Sequence, residues 1–209
     1  RSIMRVYLYH GDVLANAERV LQVLTGKKEV SKSDLLIFAY RATQYSLSPD
    51  RRSNYEELVT TGGISLITDK KLQKVATDYF NSQMFDFVRE SGVESRYRSL
   101  LRETMPVGVH RKIRLACGDD ARGRNFDFDH AQPGDLMDFE CSPDLTQVEI
   151  DAAVAALRAN DSIVPALRLR IAIMDGELAD IKATSIDGEW QRFHDDWAEG
   201  DAAAQTARE

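Results

Sequence analysis

Two cysteines, Cys117 and Cys141, are the residues whose chemistry the sequence specifies best. One lies at the end of a predicted helix and the other lies shortly before a predicted helix cap. A disulfide between them would close a loop of about 25 residues and stabilise the fold by roughly 3 kcal/mol in the chain-entropy model. Two unpaired buried thiols are the alternative, because spacing alone does not decide pairing. Two cysteines without a CxxC or HxxxH set do not predict a zinc site.

Acidic residues between the two cysteines form a second candidate, a cation site. Asn125, Asp127 and Asp129 match the first three oxygen-ligand positions of an EF-hand loop. The match fails where that loop requires glycine, which is His130 here, and at the closing acidic position, which is Leu136. A looser metal site with Asp127 and Asp129 as ligands stays open, with a hydrated loop as the alternative. The oxygen donors available to it are Asp119, Asp120, Asp127 and Asp129.

The histidines do not form a metal or catalytic set. The four of them are His10, His110, His130 and His194. His10 falls in the apolar stripe of the first predicted helix, where a hydrogen-bonded core histidine is more common than a catalytic one. Nucleotide-binding glycine patterns, the serine-hydrolase elbow, His-Glu zinc-protease spacing and catalytic-cysteine signatures are all missing from the sequence. The sequence therefore assigns no catalytic residue and no cofactor.

The elements that position these residues are predicted to be helices. Apolar residues recur at spacings of three and four over residues 3–24, which predicts an amphipathic helix that ends at Gly26. Ser31 with Asp34 resembles a capping box and predicts a second helix that ends before Pro49. Both assignments place the N-terminal region in an α-helical fold.

Caps, glycines and prolines mark the later helices. Further helix starts are predicted at Ser53, Thr68, Pro106, Thr146 and Pro165, and stops at Gly62-Gly63 and Cys117. The buried stripe predicted for the last long helix contains Leu167, Ile171, Met174, Leu178 and Ile181. The helical pattern disappears over residues 118–145. A connection of this length typically has a function or is held to the rest of the fold by specific contacts.

The fold class predicted from these signals is all-α. We expect an antiparallel helical bundle of six to eight helices with one long irregular loop at 118–145. A single helical domain is predicted over residues 1–200, followed by a frayed tail at 201–209. The chain has 209 residues, of which 43% are hydrophobic and 29% charged, so it is long and apolar enough to bury a substantial core.

Charge and hydropathy exclude some classes of function. The net charge of -7 repels phosphate backbones, so we expect no nucleic-acid partner. No run of about twenty apolar residues is present, so no membrane-spanning helix is predicted. The first helical pattern starts at the N-terminus without a cap, and we expect a tag, a signal or a membrane anchor upstream of it.

One stretch near the middle carries a packing-like motif. It consists of Tyr55-Glu56-Glu57-Leu58-Val59, Gly62-Gly63-Ile64-Ser65-Leu66-Ile67, Leu72 and Asp78-Tyr79-Phe80. This stretch resembles a family of uncharacterised bacterial proteins in which one N-terminal membrane helix precedes a helical domain of unknown function. Residues 8–14 and Cys117 are similar to that family more faintly. The resemblance implies a location on the periplasmic side of the inner membrane, where a Cys117–Cys141 bridge would persist.

These signals together predict a non-enzymatic, membrane-tethered periplasmic helical module that binds a protein partner or a small ligand. A cytoplasmic location is the alternative. Two other functions stay open. One is a metal-dependent hydrolase that acts from residues 119–129 with the assistance of His130. The other is a small-molecule sensor with a pocket between helices, lined by tyrosine and phenylalanine side chains. The sequence does not specify an oligomeric state.

Overall fold

The computed structural model describes residues 2–45, 52–70, 73–74, 77, 84–118, 121 and 133–184. Every regular element among these residues is helical, which confirms the predicted all-α class with bundle-like packing. The chain divides into two compact units. The larger comprises residues 2–48 and 83–179, and the smaller comprises residue 1, residues 49–82 and residues 180–209. A single domain over residues 1–200 stays a prediction, and the predicted tail at 201–209 lies outside the described residues.

The described helices account for most of the described chain. In order they are α1 (Ser2–Leu24), α2 (Lys32–Arg41), α3 (Arg52–Thr60), α4 (Met84–Val93), α5 (Arg96–Thr104), α6 (Val107–Cys117), α7 (Gln147–Ala159) and α8 (Ile163–Thr184). A short 3-10 helix, Gly63–Leu66, follows α3. The smaller unit contains α3, the 3-10 helix and the end of α8, and the larger unit contains the rest.

Helix α2 lies at the centre of the larger unit. It packs against α1, α6 and α7, and it buries Leu35, Leu36, Ile37, Ala39 and Tyr40. Each large apolar side chain that leaves water in this way contributes about 1.5–3 kcal/mol. The buried Tyr97 of α5 donates its hydroxyl to the Ala39 carbonyl at 3.1 Å, and burial raises the pKa of Tyr97. The core is thus apolar packing around α2, with its buried hydroxyl paired.

Local caps fix where α2 and α7 begin. The Ser31 hydroxyl accepts the Asp34 backbone N–H at 3.0 Å. Thr146 and Glu149 form a reciprocal capping box at the start of α7. The Thr146 backbone N–H, together with the Lys112 ammonium 2.9 Å away, holds the pKa of Glu149 at about 2. Both starts confirm the sequence prediction. They were predictable because a capping interaction spans only three residues.

Helix α2 ends earlier than the sequence predicts. Its last residue is Arg41, not a residue next to Pro49. The Thr43 hydroxyl donates to the Tyr40 carbonyl at 2.6 Å, and the Gln44 amide donates to the same carbonyl at 3.3 Å. These side chains occupy the Tyr40 carbonyl, which would accept a backbone N–H in a further helical turn. They therefore favour the end of the helix at this point.

The smaller unit contains the stretch that resembles the membrane-anchored family. Helix α3 ends as predicted, because Gly62 adopts a left-handed conformation with φ of 74°. The Gln73 side-chain amide donates to the Ile64 carbonyl at 3.0 Å and ties the following segment to the 3-10 helix. The last parts of the stretch, Leu72 and residues 78–80, lie outside the described residues.

Candidate functional site

Residues 133–142 form the described end of the predicted irregular loop and are referred to as the strap. The strap contains turns but no helix or strand. Even so, Leu136 and Met137 are buried. Irregular backbone in an interior needs hydrogen-bond partners from side chains, because it lacks those of a helix or a sheet. Side chains of α1 and α2 supply these partners.

Asp12 of α1 holds the start of the strap. Its carboxylate accepts the backbone N–H groups of Gly134 at 2.6 Å and of Leu136 and Met137 at 2.9 Å each. Asn16, one turn further along α1, donates to the Met137 carbonyl at 3.0 Å. Burial raises the pKa of Asp12, and the three N–H donors oppose that shift. Asp12 therefore satisfies a stretch of backbone that would otherwise be buried without partners.

Arg41 of α2 holds the end of the strap. Its guanidinium donates to the carbonyls of Phe139 at 2.7 Å and Cys117 at 3.4 Å. It lies 4.5 Å from the centroid of the Phe139 ring and 3.4 Å from the sulfur of Cys141. Arg41 is almost fully buried, and these contacts explain how its charge is accommodated there.

The two cysteines join the strap to the end of α6. The Cα atoms of Cys117 and Cys141 are 5.4 Å apart, and the sulfur atoms are at disulfide distance. The structure thus confirms the pair predicted from the sequence. The disulfide, Asp12 and Arg41 together explain how a segment without helical periodicity is tied to the bundle.

A second polar region lies between α1, α4 and α8 and is referred to as the polar centre. It consists of His10, Ser91, Arg170 and Glu177. His10 is 0% exposed, and Arg170 and Glu177 are each 2% exposed. Charged side chains are rarely buried to this degree unless they are paired.

Glu177 lies between the other polar side chains of α1 and α4. One carboxylate oxygen accepts the Ser91 hydroxyl, and the other lies 3.6 Å from His10 Nδ1, just beyond hydrogen-bond distance. A serine nucleophile requires a histidine that accepts its hydroxyl proton. Here the carboxylate stands between Ser91 and His10, so the geometry does not match a catalytic triad.

Several buried atoms of the polar centre have no hydrogen-bond partner among the described residues. They are Nδ1 and Nε2 of His10, Nε and Nη1 of Arg170, and Oε2 of Glu177. The remaining nitrogen of Arg170 donates to the Gln44 carbonyl at 3.2 Å. A buried polar group that is left unpaired costs about 1–3 kcal/mol, so groups of this kind are uncommon in a folded protein. Within the part of the chain that the structure describes, the polar centre therefore offers hydrogen-bonding groups without a partner.

Burial also sets the charges of the polar centre. It lowers the pKa of His10 more than the neighbouring Glu177 raises it, so His10 is neutral at pH 7. Burial likewise lowers the pKa of Arg170, but a guanidinium stays protonated in proteins. In Arg170, Nε carries one N–H donor and Nη1 carries two. The polar centre thus presents a buried cation whose Nε and Nη1 donors have no partner among the residues that the structure describes.

The sequence placed His10 in the core, which the structure confirms. The expected hydrogen bonds of its ring nitrogens are not found among the described residues. The other members of the polar centre were not predicted.

On α8, three residues of the predicted stripe are buried, namely Leu167, Met174 and Ile181, and they confirm that part of the prediction. The other two, Ile171 and Leu178, are only partly buried. Arg170 and Glu177 are the more deeply buried residues. The pair Ile171 and Leu178 and the pair Arg170 and Glu177 both have a spacing of seven residues, which fits one helix face. The apolar character of the first pair favoured it in the prediction. The available signal was a pair of opposite charges seven residues apart, which lie on one helix face.

The predicted cation ligands lie outside the described residues. They are Asp119, Asp120, Asp127 and Asp129, with His130 as the assisting group. In the part of the chain that the structure describes, no three His, Cys, Asp or Glu side chains are grouped to hold a metal ion. The metal site at Asp127 and Asp129 therefore stays a prediction.

Comparisons with known proteins add no identity. No protein-family model, curated protein or solved structure matches this chain. The resemblance of residues 55–80 to a membrane-anchored family stays a prediction. Within the described ranges, no helix is both long enough and apolar enough to cross a membrane. The function is therefore inferred from the geometry of the strap and the polar centre.

Proposed function

We propose that this protein is a non-enzymatic binding module of an oxidising compartment, and that it takes a small polar ligand into the polar centre. The observation that carries the proposal is the set of unpaired buried atoms on His10, Arg170 and Glu177. Helical bundles commonly build ligand sites from side chains that project inward from facing helices. The polar centre has this arrangement, with His10 on α1, Ser91 on α4, and Arg170 and Glu177 on α8.

Arg170 determines the chemistry of the ligand. A planar guanidinium with unpaired Nε and Nη1 atoms suits a carboxylate, which accepts several N–H bonds. Glu177 Oε2 provides an acceptor, and neutral His10 provides one donor and one acceptor. A small molecule that carries a carboxylate together with an ammonium or hydroxyl donor matches these groups.

A ligand screen by thermal unfolding tests this proposal. We expect one or more members of a panel of amino acids, hydroxy acids and short carboxylates to stabilise the protein. Ligand at a hundred times its Kd adds about 2.7 kcal/mol, which corresponds to roughly 5–10 °C in Tm for a chain of this size. Arg170→Met should abolish the shift. Arg168→Met, at an exposed position of the same helix, should keep it.

Two results of the screen would contradict the proposal. One is that no member of the panel raises Tm. The other is that Arg170→Met responds to the active compound as strongly as the wild type does. Amides of the active carboxylates serve as ligand controls, because they keep the shape and lose the charge that Arg170 recognises.

The proposed setting is the periplasmic side of a bacterial inner membrane, with a membrane anchor as the tether. The Cys117–Cys141 pair supports an oxidising compartment, because disulfides persist there and are rare in the cytosol. The resemblance of residues 55–80 points to the same location. Protein isolated from its natural host should be alkylated under denaturing conditions, with and without prior reduction. Cysteines that are blocked until reduced support this setting, and cysteines that react without reduction contradict it.

A further inference from the structure

We infer that Cys141 is a thiol-exchange site, at which a small-molecule thiol forms a mixed disulfide with the folded protein. This inference concerns the strap and is independent of ligand binding in the polar centre. It depends on the unequal exposure of the two sulfur-bearing residues, on the contact between Arg41 and Cys141, and on the groove into which Cys141 opens.

The two halves of the disulfide differ in access. Cys117 is 0% exposed and ends a helix in the core. Cys141 is partly exposed and lines a groove between α2 and the strap. Other residues lining this groove are Arg19, Asp34, Phe38, Arg41, Asp138 and Glu140. We therefore expect an incoming thiolate to attack the sulfur of Cys141 and not that of the fully buried Cys117.

Arg41 lies beside the sulfur of Cys141 and acts on it in both redox states, whereas exposure decides which sulfur of the disulfide is attacked. Its guanidinium lies 3.4 Å from the sulfur of Cys141 and is held there by its bonds to the carbonyls of Phe139 and Cys117. In the disulfide, the adjacent positive charge favours attack by an anion. In the reduced protein, the same charge stabilises the Cys141 thiolate.

The exchange is a balanced two-electron reaction. The thiolate of the small molecule attacks the sulfur of Cys141, and a new S–S bond forms as the Cys117–Cys141 bond breaks. The bonding pair leaves with Cys117, which takes a proton and becomes a thiol. In the reverse reaction, the Cys117 thiolate attacks the sulfur of Cys141 and expels the small-molecule thiolate.

The groove also suits a thiol that carries charges of both signs. Arg19 pairs with Asp138 there, and the guanidinium of Arg19 lies 5.2 Å from the centroid of the Phe38 ring. Asp138 is also 4.0 Å from Arg41. Glutathione, which has both carboxylates and an ammonium group, is therefore the probe for the experiment.

The test begins with the folded wild type, which is incubated with glutathione and then acid-quenched. Peptide mass mapping should find glutathione on Cys141 and a free thiol on Cys117. In the fully reduced protein, we expect iodoacetamide at pH 7 to alkylate Cys141 at least tenfold faster than Cys117. The mapping needs no variant, so it does not depend on whether a substitution at Arg41 folds.

Variants then isolate the contribution of Arg41. Arg41→Met should slow alkylation of Cys141 at pH 7 by about tenfold, which corresponds to one pKa unit of thiolate stabilisation. Arg41→Lys should restore most of the rate. Arg158→Met, at an exposed position of α7 outside the groove, should change it by less than about twofold. Glutathione on Cys117, equal labelling of both cysteines, or an unchanged rate in a folded Arg41→Met protein would overturn the inference.

Discussion

The strap and the polar centre both bury charged side chains in the larger unit, and they differ in how completely the polar atoms of those side chains are hydrogen-bonded. Asp12 accepts three backbone N–H groups, and Arg41 donates to two carbonyls. Arg170 and Glu177 keep atoms without partners among the described residues, whereas in the strap region Asn16 Oδ1 is the exception. Paired groups stabilise a fold, and unpaired ones cost stability. The difference separates residues that hold the structure from residues that are available to a ligand.

Removal of Asp12 should have the largest effect on stability. Asp12→Ala leaves three N–H groups of the strap without their acceptor, and we expect a loss of about 3–5 kcal/mol in the free energy of unfolding. Urea denaturation measures it. Glu18→Ala, at an exposed position of the same helix, should change stability by less than about 0.5 kcal/mol. A loss below 1 kcal/mol for Asp12→Ala would show that the strap does not depend on this carboxylate.

Loss of the disulfide should rank second. Replacement of both Cys117 and Cys141 by serine should lower stability by about 3 kcal/mol, because the unfolded chain regains the freedom of the closed loop. Reduction of the wild type should have a similar effect. A reductant should leave the double serine variant unchanged, which controls for unrelated effects of the reagent. Equal stability of the oxidised and reduced wild type would contradict the role of the bridge in holding the strap.

The polar centre and the strap should also respond differently to pH. Burial lowers the pKa of His10 and of His110 below 6.5. As the pH falls below 6.5, the unfolded chain binds protons that the folded protein does not, so stability decreases. The slope is at most about 1.4 kcal/mol per pH unit for each histidine. Burial raises the pKa of Asp12 above 3.8. Between pH 3.8 and that raised pKa the folded protein binds a proton that the unfolded chain does not, so Asp12 makes stability increase as the pH falls.

Unfolding measurements at pH 7.5, 6.5 and 5.5 test the histidine contribution. His10→Gln should reduce the loss of stability on acidification and should leave the part that His110 contributes. His194→Gln, outside the described residues, provides a substitution control elsewhere in the chain. Identical pH dependence in the wild type and His10→Gln would mean that His10 does not contribute.

The smallest effect on stability is expected in the polar centre, although two buried charges are removed there. The double variant Arg170→Met with Glu177→Gln should be within about 1 kcal/mol of the wild type or more stable, because replacement of two buried charged side chains removes their desolvation cost. Urea denaturation alongside Asp12→Ala gives the comparison directly. A loss above 3 kcal/mol would assign Arg170 and Glu177 to the structure, not to binding.

Features that depend on neighbouring residues were predictable from the sequence. The starts of α2 and α7 follow from Ser31 and Thr146, and the end of α3 follows from Gly62, because each signal acts over a few residues. The disulfide was one of two alternatives, since pairing depends on the distance between Cys117 and Cys141 in the folded chain.

Features that depend on contacts between distant segments were not predictable in the same way. The termination of α2 depends on how Thr43 uses its hydroxyl, which the Pro49 signal does not reveal. The polar centre requires α1, α4 and α8 to meet, and the sequence does not specify that packing. On α8 the hydrophobic pattern predicted that Ile171, and not Arg170, is buried. Such a pattern does not identify a charged side chain that lies in the interior of the fold.

Calorimetric titration of the compound selected by the thermal screen tests the central claim most directly. The wild type and Arg168→Met should bind it with the same Kd. The double variant Arg170→Met with Glu177→Gln should bind about 30-fold to several thousand-fold more weakly, which corresponds to a loss of about 2–5 kcal/mol. A Kd within about threefold of the wild type in that folded variant would contradict the account, because the ligand would then bind without the unpaired groups of the polar centre.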